Sequence, residues 1–591
     1  MHDETRSDLE RRAFAAFTAA EPPPGFADRV LAAQRASERA DAPAAPTRLF
    51  AAGAARIAGL ALAAAAVAGA ALAASHYMSR GAGPEAPVPT VTSAVAPRTD
   101  APVDAALPAT RPDEPGPAAA AIPSDLDVRI DRYVAGFGAR YGDAFKFHGV
   151  VGVLKDGEPV FVRGYGVADP GTGAAVTEDS RFKIGSLTQT FTAVAVLQLR
   201  DRGLVDLDAP VRKYLPDYPA IGQRITVRHL LSHTSGIPSY TDAHVFAVGH
   251  EGPVPPARVR AMFQDLPLEF APGTDFDLSN SGYFLLGELV EAVSGEPFAD
   301  YLAENVLAPA GMKRSGLGRP VDTVGQEFDE DEVLVPAGQR HPSAYGAAAA
   351  MVSTAADLAR WDRALRTPGL VLSPKGLAEM TTVVREEYGL GWFLRQDRGQ
   401  TMAFYPGGVE GYNATIARYL EDGVTVFALA NTEAVDTRAL VYDIAQIAHG
   451  DEVPPPAEHV EIPLAPAQLA RYVGHYVLTE QTRRELGKAV GADELAALES
   501  VDIVDNRGRL FMHVPEHADK WMHALGEDRF FFKDPGGTTA EFGPPGAPVA
   551  HLTLSQGDLR FVLRREAGRA SSKSPAPDVR LENPSRPRPA P

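Results

Sequence analysis

The sequence predicts an α+β chain, in which one antiparallel sheet is built from both ends of a large domain and a helical insertion lies between the two parts. Strand-like runs open the ordered region and close it again, at 148–154, 159–165, 400–405, 412–420 and 424–430. The interval between them is helical and loop-rich, as expected for helices packed against such a sheet. After the large domain, short strand patterns alternate with turn signals, which predicts a C-terminal antiparallel β-barrel or sandwich.

Turn signals support the pairing within the large sheet. Asp156-Gly157 separates the first two runs and Asp422-Gly423 separates the last two. An Asp-Gly pair between two strand patterns is typical of a tight hairpin. Ser124 is a candidate N-cap for the first helix, so the large domain is predicted for residues 124–450.

The composition limits the classes of function. The chain has 591 residues, no cysteine and a formal net charge of −19. Its length predicts two or more folded units joined by spacers, because it exceeds what one ordinary core organises. The absence of cysteine excludes a disulfide framework, a cysteine-ligated zinc and a cysteine nucleophile. The acidic balance argues against nucleic-acid binding, which needs clustered positive charge.

A membrane anchor is predicted near the N-terminus. Residues 57–78 carry no Asp, Glu, Lys or Arg, and at the rise of an α-helix this stretch is long enough to cross a bilayer. Arginines are concentrated on its N-terminal side. The positive-inside rule therefore predicts a single-pass protein with a cytoplasmic N-terminus and periplasmic or extracellular main domains. A cleaved signal peptide, whose charged n-region would be unusually long, and a soluble alanine-rich helix are the alternatives.

The remaining segments divide by composition. Residues 1–55 form a charged cytoplasmic tail, with partner binding as the alternative to a plain tail, and residues 56–78 contain the transmembrane helix. Residues 79–123 form a Pro/Ala-rich linker and residues 567–591 a disordered tail, because neither has the apolar content of a core. The small β-domain is predicted for residues 456–566.

A candidate nucleophile lies where a strand-like segment turns into a helix. Ser186 falls at the predicted helix start, where backbone N–H groups and the positive end of the helix dipole favour a developing oxyanion. Gln189 follows one turn later on the same face. From this segment alone, an N-cap role for Ser186 is the better explanation.

Six collinear stretches carry a resemblance to a known family. They are FKIGSLTQTFTA (182–193), ITVRHLLSHTSGIPSY (225–240), FDLSNSGYFLLGELVEAVSG (276–295), AAAAMVSTAADLARW (347–361), YGLGWF (388–393) and PGGVEGYNATI (406–416). With them the chain resembles the serine β-lactamase and penicillin-binding-protein-like hydrolases, especially the class C-like esterases, DD-peptidases and amidohydrolases. The resemblance covers about residues 124–450 and implies a β-lactamase-like α/β sandwich, an antiparallel sheet with a helical insertion.

The first two active-site motifs that the resemblance implies are altered. Ser-x-x-Lys supplies a nucleophile and a neighbouring base, and here Ser186 is followed by Gln189 in place of Lys. Tyr-x-Asn supplies a phenol that relays protons. Here Leu278 stands in place of that Tyr, while Asn280 remains.

The third motif is altered as well. Lys-Thr-Gly, or His-x-Gly in this subgroup, becomes Tyr405-Pro406-Gly407, so Tyr405 stands in place of the Lys or His. Pro406 has no N–H to offer a ligand or a neighbouring strand. A serine hydroxyl is a weak nucleophile until a neighbour takes its proton, and neither Gln nor Leu can do so. Losing a general base typically costs ~10²–10⁴ in rate.

Other groups offer weaker candidates. Tyr405 brings a phenol that could serve as a substitute base only beside a cation, because its ordinary pKa is about 10. Lys183 precedes the serine by three residues and is expected to face elsewhere. His229 and His233 have helical spacing but no accompanying metal motif, so we expect neither a metal nor a cofactor. The small β-domain resembles lipocalin-like accessory domains, and we expect its interior to be a packed core.

Two functions remain open from the sequence. The first is a pseudoenzyme that binds a cell-wall peptide, a small ligand or a protein partner in the inherited cleft. The second is an active serine hydrolase, an esterase, DD-peptidase or amidase, that uses Ser186 with a substituted base. The expected partners are a small ester, an amide or a peptidoglycan-like ligand, and the membrane through residues 57–78; no nucleic acid is expected.

Overall fold

The computed structural model describes residues 122–566, apart from 140–145, 243–245, 247–251, 330–331, 457, 487–498, 507, 515–518, 535–536, 545–547 and 557–558. The predicted tails, the membrane helix and all but the last two residues of the linker lie outside the described residues. None of the helices in the described part of the chain combines the length and hydropathy that crossing a bilayer requires.

The large domain contains strands and helices in a mixed order. Its strands are β1 (Gly149–Lys155), β2 (Glu158–Tyr165), β3 (Val167–Asp169), β4 (Ala174–Ala175), β5 (Phe182–Lys183), β6 (Gly316–Leu317), β7 (Gln326–Phe328), β8 (Leu334–Pro336), β9 (Met351–Ser353), β10 (Phe393–Asp397), β11 (Gln400–Val409), β12 (Tyr412–Tyr419) and β13 (Val424–Ala430). Its helices are α1 (Leu126–Ala139), α2 (Thr188–Asp201), α3 (Val227–Leu231), α4 (Pro256–Arg260), α5 (Asn280–Ser294), α6 (Phe298–Leu302), α7 (Ala355–Arg366), α8 (Pro374–Met380) and α9 (Thr437–Ala448).

The main sheet has six antiparallel strands in the order β10-β11-β12-β13-β1-β2. The first strand pairs with the last, with Gly149 opposite Ala430, which confirms the prediction of a sheet assembled from both ends of the domain. The Asp156-Gly157 turn between β1 and β2 has φ values of 53° and 80°, the conformation that a two-residue hairpin loop requires. Strand β10 at the edge was not predicted.

Helices cover both faces of this sheet. Helices α1 and α9 pack on one face, and a larger core that includes α2, α5 and α7 packs on the other. Alternate residues of β13 therefore enter different cores, and every residue of VTVFALA is buried. A strand buried on both faces reads as a continuous apolar run, which explains why the sequence pattern located this strand well.

A buried ion pair ties the helical layer to the sheet. Asp362 on α7 accepts a hydrogen bond from Arg418 on β12 at 2.6 Å, and Arg366 donates to the other carboxylate oxygen at 2.8 Å. Burial opposes ionisation of Asp362, but the two guanidinium groups outweigh it and lower the pKa of this carboxyl group. The pair thus keeps its charges inside the core, where an unpaired charge would be strongly destabilising.

The C-terminal domain is a closed barrel of eight antiparallel strands. Its elements are β14 (Gly474–Leu478), β15 (Ser500–Asn506), β16 (Arg509–His513), β17 (Lys520–Ala524), β18 (Arg529–Phe531), β19 (Thr539–Gly543), β20 (His551–Gln556) and β21 (Leu559–Arg565), with helices α10 (Pro466–Leu469) and α11 (Glu480–Leu486). The sequence pattern predicts seven of these strands, over 469–478, 509–514, 520–525, 529–533, 538–542, 549–554 and 559–564, and misses β15. The strand over 469–478 was wrong in its first half, where Leu469 ends α10 and residues 470–473 form no strand. The pattern also predicts a helix near 492–499, which lies almost wholly outside the described residues.

Aromatic side chains fill the barrel. Tyr472, Tyr476 and Phe542 are buried, and their rings contact one another with centroid separations of 4.6–5.8 Å. Phe530 joins them at 5.1 Å from Tyr472. The interior of the described barrel is therefore a packed core, in line with the default expected for it.

Candidate active site

Ser186 lies on a tight turn that leads directly into a helix. The turn is a 3₁₀ segment, Gly185–Leu187, and α2 follows at Thr188. Neither the turn nor α2 is capped by a side-chain hydrogen bond, so the N-cap explanation of Ser186 was wrong. Its side chain is half-buried, and within the described residues its hydroxyl group makes no hydrogen bond.

Glycines bring this turn against the sheet. A Cβ atom on Gly407 of β11 would lie 2.1 Å from the carbonyl oxygen of Ile184. A Cβ atom on Gly185, where φ is 51°, would lie 2.5 Å from the backbone nitrogen of Gly408. Both clashes involve backbone atoms, so neither position accepts a side chain without moving the turn. The glycine of the third motif thus sets how closely Ser186 approaches β11.

The side chain of Gln189 is a hydrogen-bonding centre beside the turn. It is buried, and its amide oxygen accepts from the Tyr405 hydroxyl at 2.6 Å and from the Nε2 atom of His233 at 3.0 Å. Its amide nitrogen donates to the Oδ1 atom of Asn280 at 3.0 Å. The structure therefore brings together three of the residues singled out in the sequence and adds His233 to them.

The tautomer of His233 follows from its neighbours. The backbone N–H of Ser279 donates to Nδ1 at 3.0 Å, so Nδ1 carries no proton and Nε2 is the donor to Gln189. The ring is fully enclosed, and burial lowers the pKa of His233 to about 3. This imidazole is neutral at ordinary pH and has no free nitrogen with which to accept a proton.

Tyr405 is also held in its neutral form. Its hydroxyl donates to Gln189 and accepts from the hydroxyl of Tyr388 at 3.2 Å. Burial raises the pKa of Tyr405 well above its ordinary value, and the pKa of Tyr388 rises for the same reason. The described residues place no cation against the Tyr405 phenol that would lower its pKa again. Tyr405 is therefore not suited to be the substitute base considered from the sequence.

Asn280 and Leu278 have different surroundings although they are two residues apart. Asn280 begins α5, and its amide nitrogen donates to the Thr241 hydroxyl at 2.8 Å, which fixes its orientation toward Gln189. Leu278 precedes the helix, is 42% exposed, and takes no part in the hydrogen-bond network. The position of the relay tyrosine is thus an apolar, solvent-facing group.

Sequence reasoning assigned His233, Tyr388 and Tyr283 no role in the site. His233 stands in the His-Thr-Ser-Gly turn with φ of 56°, and a buried non-glycine residue in this conformation signals a constrained position. Tyr283 lies 3.4 Å from Tyr388, hydroxyl to hydroxyl, and extends the network. Their positions inside three of the six family stretches were the available signal.

The other two candidate residues, Lys183 and His229, make their hydrogen bonds to groups outside the network around Gln189. Lys183 hydrogen-bonds Gln339 and lies over the ring of Tyr412. His229 uses Nδ1 to accept from the backbone N–H of Thr226, where it completes a helix capping box. Across the described ranges, the structure contains no group of three metal-binding side chains.

The arrangement predicts unequal effects on stability. Tyr405→Phe removes the hydrogen bond to Gln189 and the one from Tyr388, but Gln189 stays paired with His233 and the Tyr388 hydroxyl keeps its contact with Tyr283, so we expect a loss of about 1–2 kcal/mol. Gln189→Met removes the hydrogen-bond partner of the Tyr405 hydroxyl, the His233 N–H and the Asn280 oxygen at the same time, so we expect at least twice that loss. Urea unfolding of both variants provides the comparison. A loss for Gln189→Met no greater than for Tyr405→Phe would contradict the network.

Comparison with known proteins gives a consistent family match. The Beta-lactamase family model matches residues 130–449, more than half of the chain. Penicillin-binding protein 4* of Bacillus subtilis (strain 168) is 27% identical over 384 residues, covering 58% of this chain and 82% of that protein. D-aminopeptidase of Brucella anthropi is 28% identical over 299 residues, covering 48% of this chain and 56% of that protein.

One solved structure supports the fold. The octameric penicillin-binding protein homologue from Pyrococcus abyssi matches with a TM-score of 0.50 and 23% identity. The match covers 74% of this chain and 99% of that one. At this identity the match concerns the fold alone.

Proposed function

The chain belongs to the Beta-lactamase family, and on that premise we propose that it binds a ligand in the inherited cleft beside Ser186 while its hydrolytic chemistry is impaired. The family is one of serine hydrolases, and it includes penicillin-binding proteins and aminopeptidases among the relatives of this chain. The proposal concerns what this particular set of side chains does at the shared cleft.

The amide oxygen of Gln189 carries the proposal. In the position from which a lysine would activate the serine, this oxygen already accepts two hydrogen bonds, and an amide has no pKa at which it would take up a proton. Its two donors are a neutral imidazole and a neutral phenol whose pKa values burial has moved away from the useful range. No described group next to Ser186 is therefore placed to act as its general base.

Strand β11 supports a binding role. Among the described residues, it pairs with β10 at residues 400–404 only, whereas residues 405–409 pair with β12 alone. The second half of the strand thus has one edge without a sheet partner, next to the Ser186 turn. An extended peptide-like ligand is the chemistry that such an edge accepts, although Pro406 removes one donor. We propose a cell-wall-type peptide, with a small ligand or a protein partner as alternatives, and the exposed Leu278 favours an apolar group on it.

We also propose that the protein acts at the outer side of the membrane. Residues 57–78 would anchor the chain in the membrane with the N-terminus in the cytoplasm. The Pro/Ala-rich residues 79–123 would then act as a semi-extended spacer that reaches on the order of 100 Å. A cell-wall peptide would lie within that reach.

An active serine hydrolase is the second candidate. It is favoured by the hydroxyl group of Ser186, which is half-exposed, lies at the start of α2 and makes no hydrogen bond within the described residues. In that case the base would come from the substrate or from solvent. Remnant catalysis of about 10³–10⁴ over water is known when only oxyanion stabilisation and binding survive.

Covalent labelling separates the two candidates. We expect the full-length protein to show no adduct at Ser186 after treatment with a fluorophosphonate probe, because no base activates the hydroxyl. Intact mass spectrometry reports the adduct, and Ser186→Ala is the control. Stoichiometric labelling that disappears in this control would contradict impaired chemistry and favour the active hydrolase.

Restoring the motif residues provides the converse experiment. We expect Gln189→Lys combined with Leu278→Tyr and Tyr405→His to raise hydrolysis of a small activated ester by ~10² or more, the typical effect of a general base. The rate of p-nitrophenyl acetate hydrolysis is the measurement, with Ser186→Ala added to the same variant as control. A folded triple variant without any gain would show that the missing proton transfer is not what limits Ser186.

A further inference from the structure

Strands β7 and β8 lie between the cleft and the barrel. At their base, the backbone N–H of Gln326 lies 3.1 Å from the carbonyl oxygen of Asn431 and 3.3 Å from that of Gly411, in the turn that joins β11 to β12. Just beyond β8, Gln339 accepts a hydrogen bond from Lys183, three residues before Ser186. The base of this hairpin, where β7 begins and β8 ends, is thus bound to the β11–β12 turn and to the segment before Ser186.

The far side of this unit contacts the barrel at Glu332, which lies against His523 and Lys533. His523 on β17 has a fully buried ring whose two nitrogens both face carboxylates. Its Nε2 atom lies 2.7 Å from Glu332, which precedes β8, and its Nδ1 atom lies 2.9 Å from Glu461, in the connector between the domains. A carboxylate can only accept, so both contacts are hydrogen bonds at once only when both nitrogens carry protons.

Aromatic and charged side chains enclose this cluster. The rings of Trp521 and Phe531 lie 4.2 Å and 5.2 Å from the His523 ring, centroid to centroid. Lys533 is 3.4 Å from the same Glu332 oxygen. The remaining neighbours with charge or a titratable group are Arg509, stacked over Trp521, and His459, against Phe531.

We propose that His523, clamped between Glu332 and Glu461, is a proton-operated latch that holds the barrel to the β7–β8 unit at the rim of the cleft and releases it as the solution becomes alkaline. A doubly protonated ring makes charge-assisted hydrogen bonds at once to Glu332 of the β7–β8 unit and to Glu461 of the connector. A neutral ring keeps at most one of the two hydrogen bonds, and where the bond to Glu332 is lost the contact between the two domains at this point is reduced to the Lys533–Glu332 ion pair. The latch would regulate access to the cleft if the proposed ligand-binding function holds, but its own existence is independent of any ligand.

The direction of the pH response follows from the charges. Burial lowers the pKa of His523, but the hydrogen bonds to Glu332 and Glu461 outweigh burial and raise it above the ordinary 6.5. The hydrogen bond from His523 lowers the pKa of Glu461 in turn. Stabilisation by the raised group is complete below pH 6.5 and is lost as the pH rises through the elevated value. The latch is therefore closed at mildly acidic pH and opens on the alkaline side.

The absence of cysteine makes a direct test practicable. Spin labels on the full-length protein at Val333→Cys, whose side chain is 54% exposed next to Glu332, and Arg560→Cys, exposed on β21, would react at those two sites alone. Double electron–electron resonance then measures the distance between the β7–β8 unit and the barrel. We expect one narrow distribution at about pH 6 and an added, longer-distance population at about pH 9.

Three variants in this labelled background complete the test. Glu332→Gln keeps the barrel residues intact and should abolish the pH response, with the longer-distance population present at both pH values. His523→Gln should abolish the response as well. His513→Gln, which removes another barrel histidine paired with a carboxylate, Asp519, should leave it unchanged. Identical distributions at both pH values in the parent protein, or a response that persists in Glu332→Gln, would overturn the latch.

Discussion

The carboxamide of Gln189 is the constraint on which the rest of the candidate site depends. Through one side chain it joins α2, the turn that contains His233, strand β11 and the start of α5. A lysine ammonium only donates, so in this position it would face two groups that also donate. The glutamine and Tyr405 are therefore matched substitutions: the phenol has an acceptor because the residue beside it is an amide. The alterations of the first and third motifs therefore form one neutral, hydrogen-bonded arrangement, while Leu278 of the second motif stays outside it.

Much of the fold could be predicted from the sequence, and the elements that were missed or misassigned have physical causes. The buried strands at the centre of the sheet were located because burial on both faces produces continuous apolar runs. Strand β10 was missed because an edge strand that ends in Arg-Gln-Asp has no such pattern. The first half of the predicted strand over 469–478 is not extended, because a short helix that begins at Pro466, a favoured position for proline, ends at Leu469 and a turn follows it.

Only part of the candidate site could be predicted from the sequence. Collinear motifs identified Ser186, Gln189 and Tyr405, but what those side chains do depends on contacts between distant segments. His233 lies 44 positions from Gln189, and its protonation is set by a backbone N–H 46 positions away, at Ser279. No local pattern encodes such a contact or the burial that holds the ring neutral. The same reasoning applies to His523, whose two carboxylate partners lie 62 and 191 residues away in the chain.

The protonation state of His233 shows whether the network around Gln189 is closed and neutral, since such a network requires a ring with its proton on Nε2 and a hydrogen bond into Nδ1. Long-range ¹H–¹⁵N NMR on protein labelled at histidine reports this tautomer, and the His233→Asn variant assigns the signal among the 15 histidines. We expect a neutral Nε2–H ring that does not change between about pH 5 and about pH 8. A ring that titrates near the ordinary 6.5, or one protonated on Nδ1, would contradict it, because Gln189 would then face a charged or differently bonded neighbour.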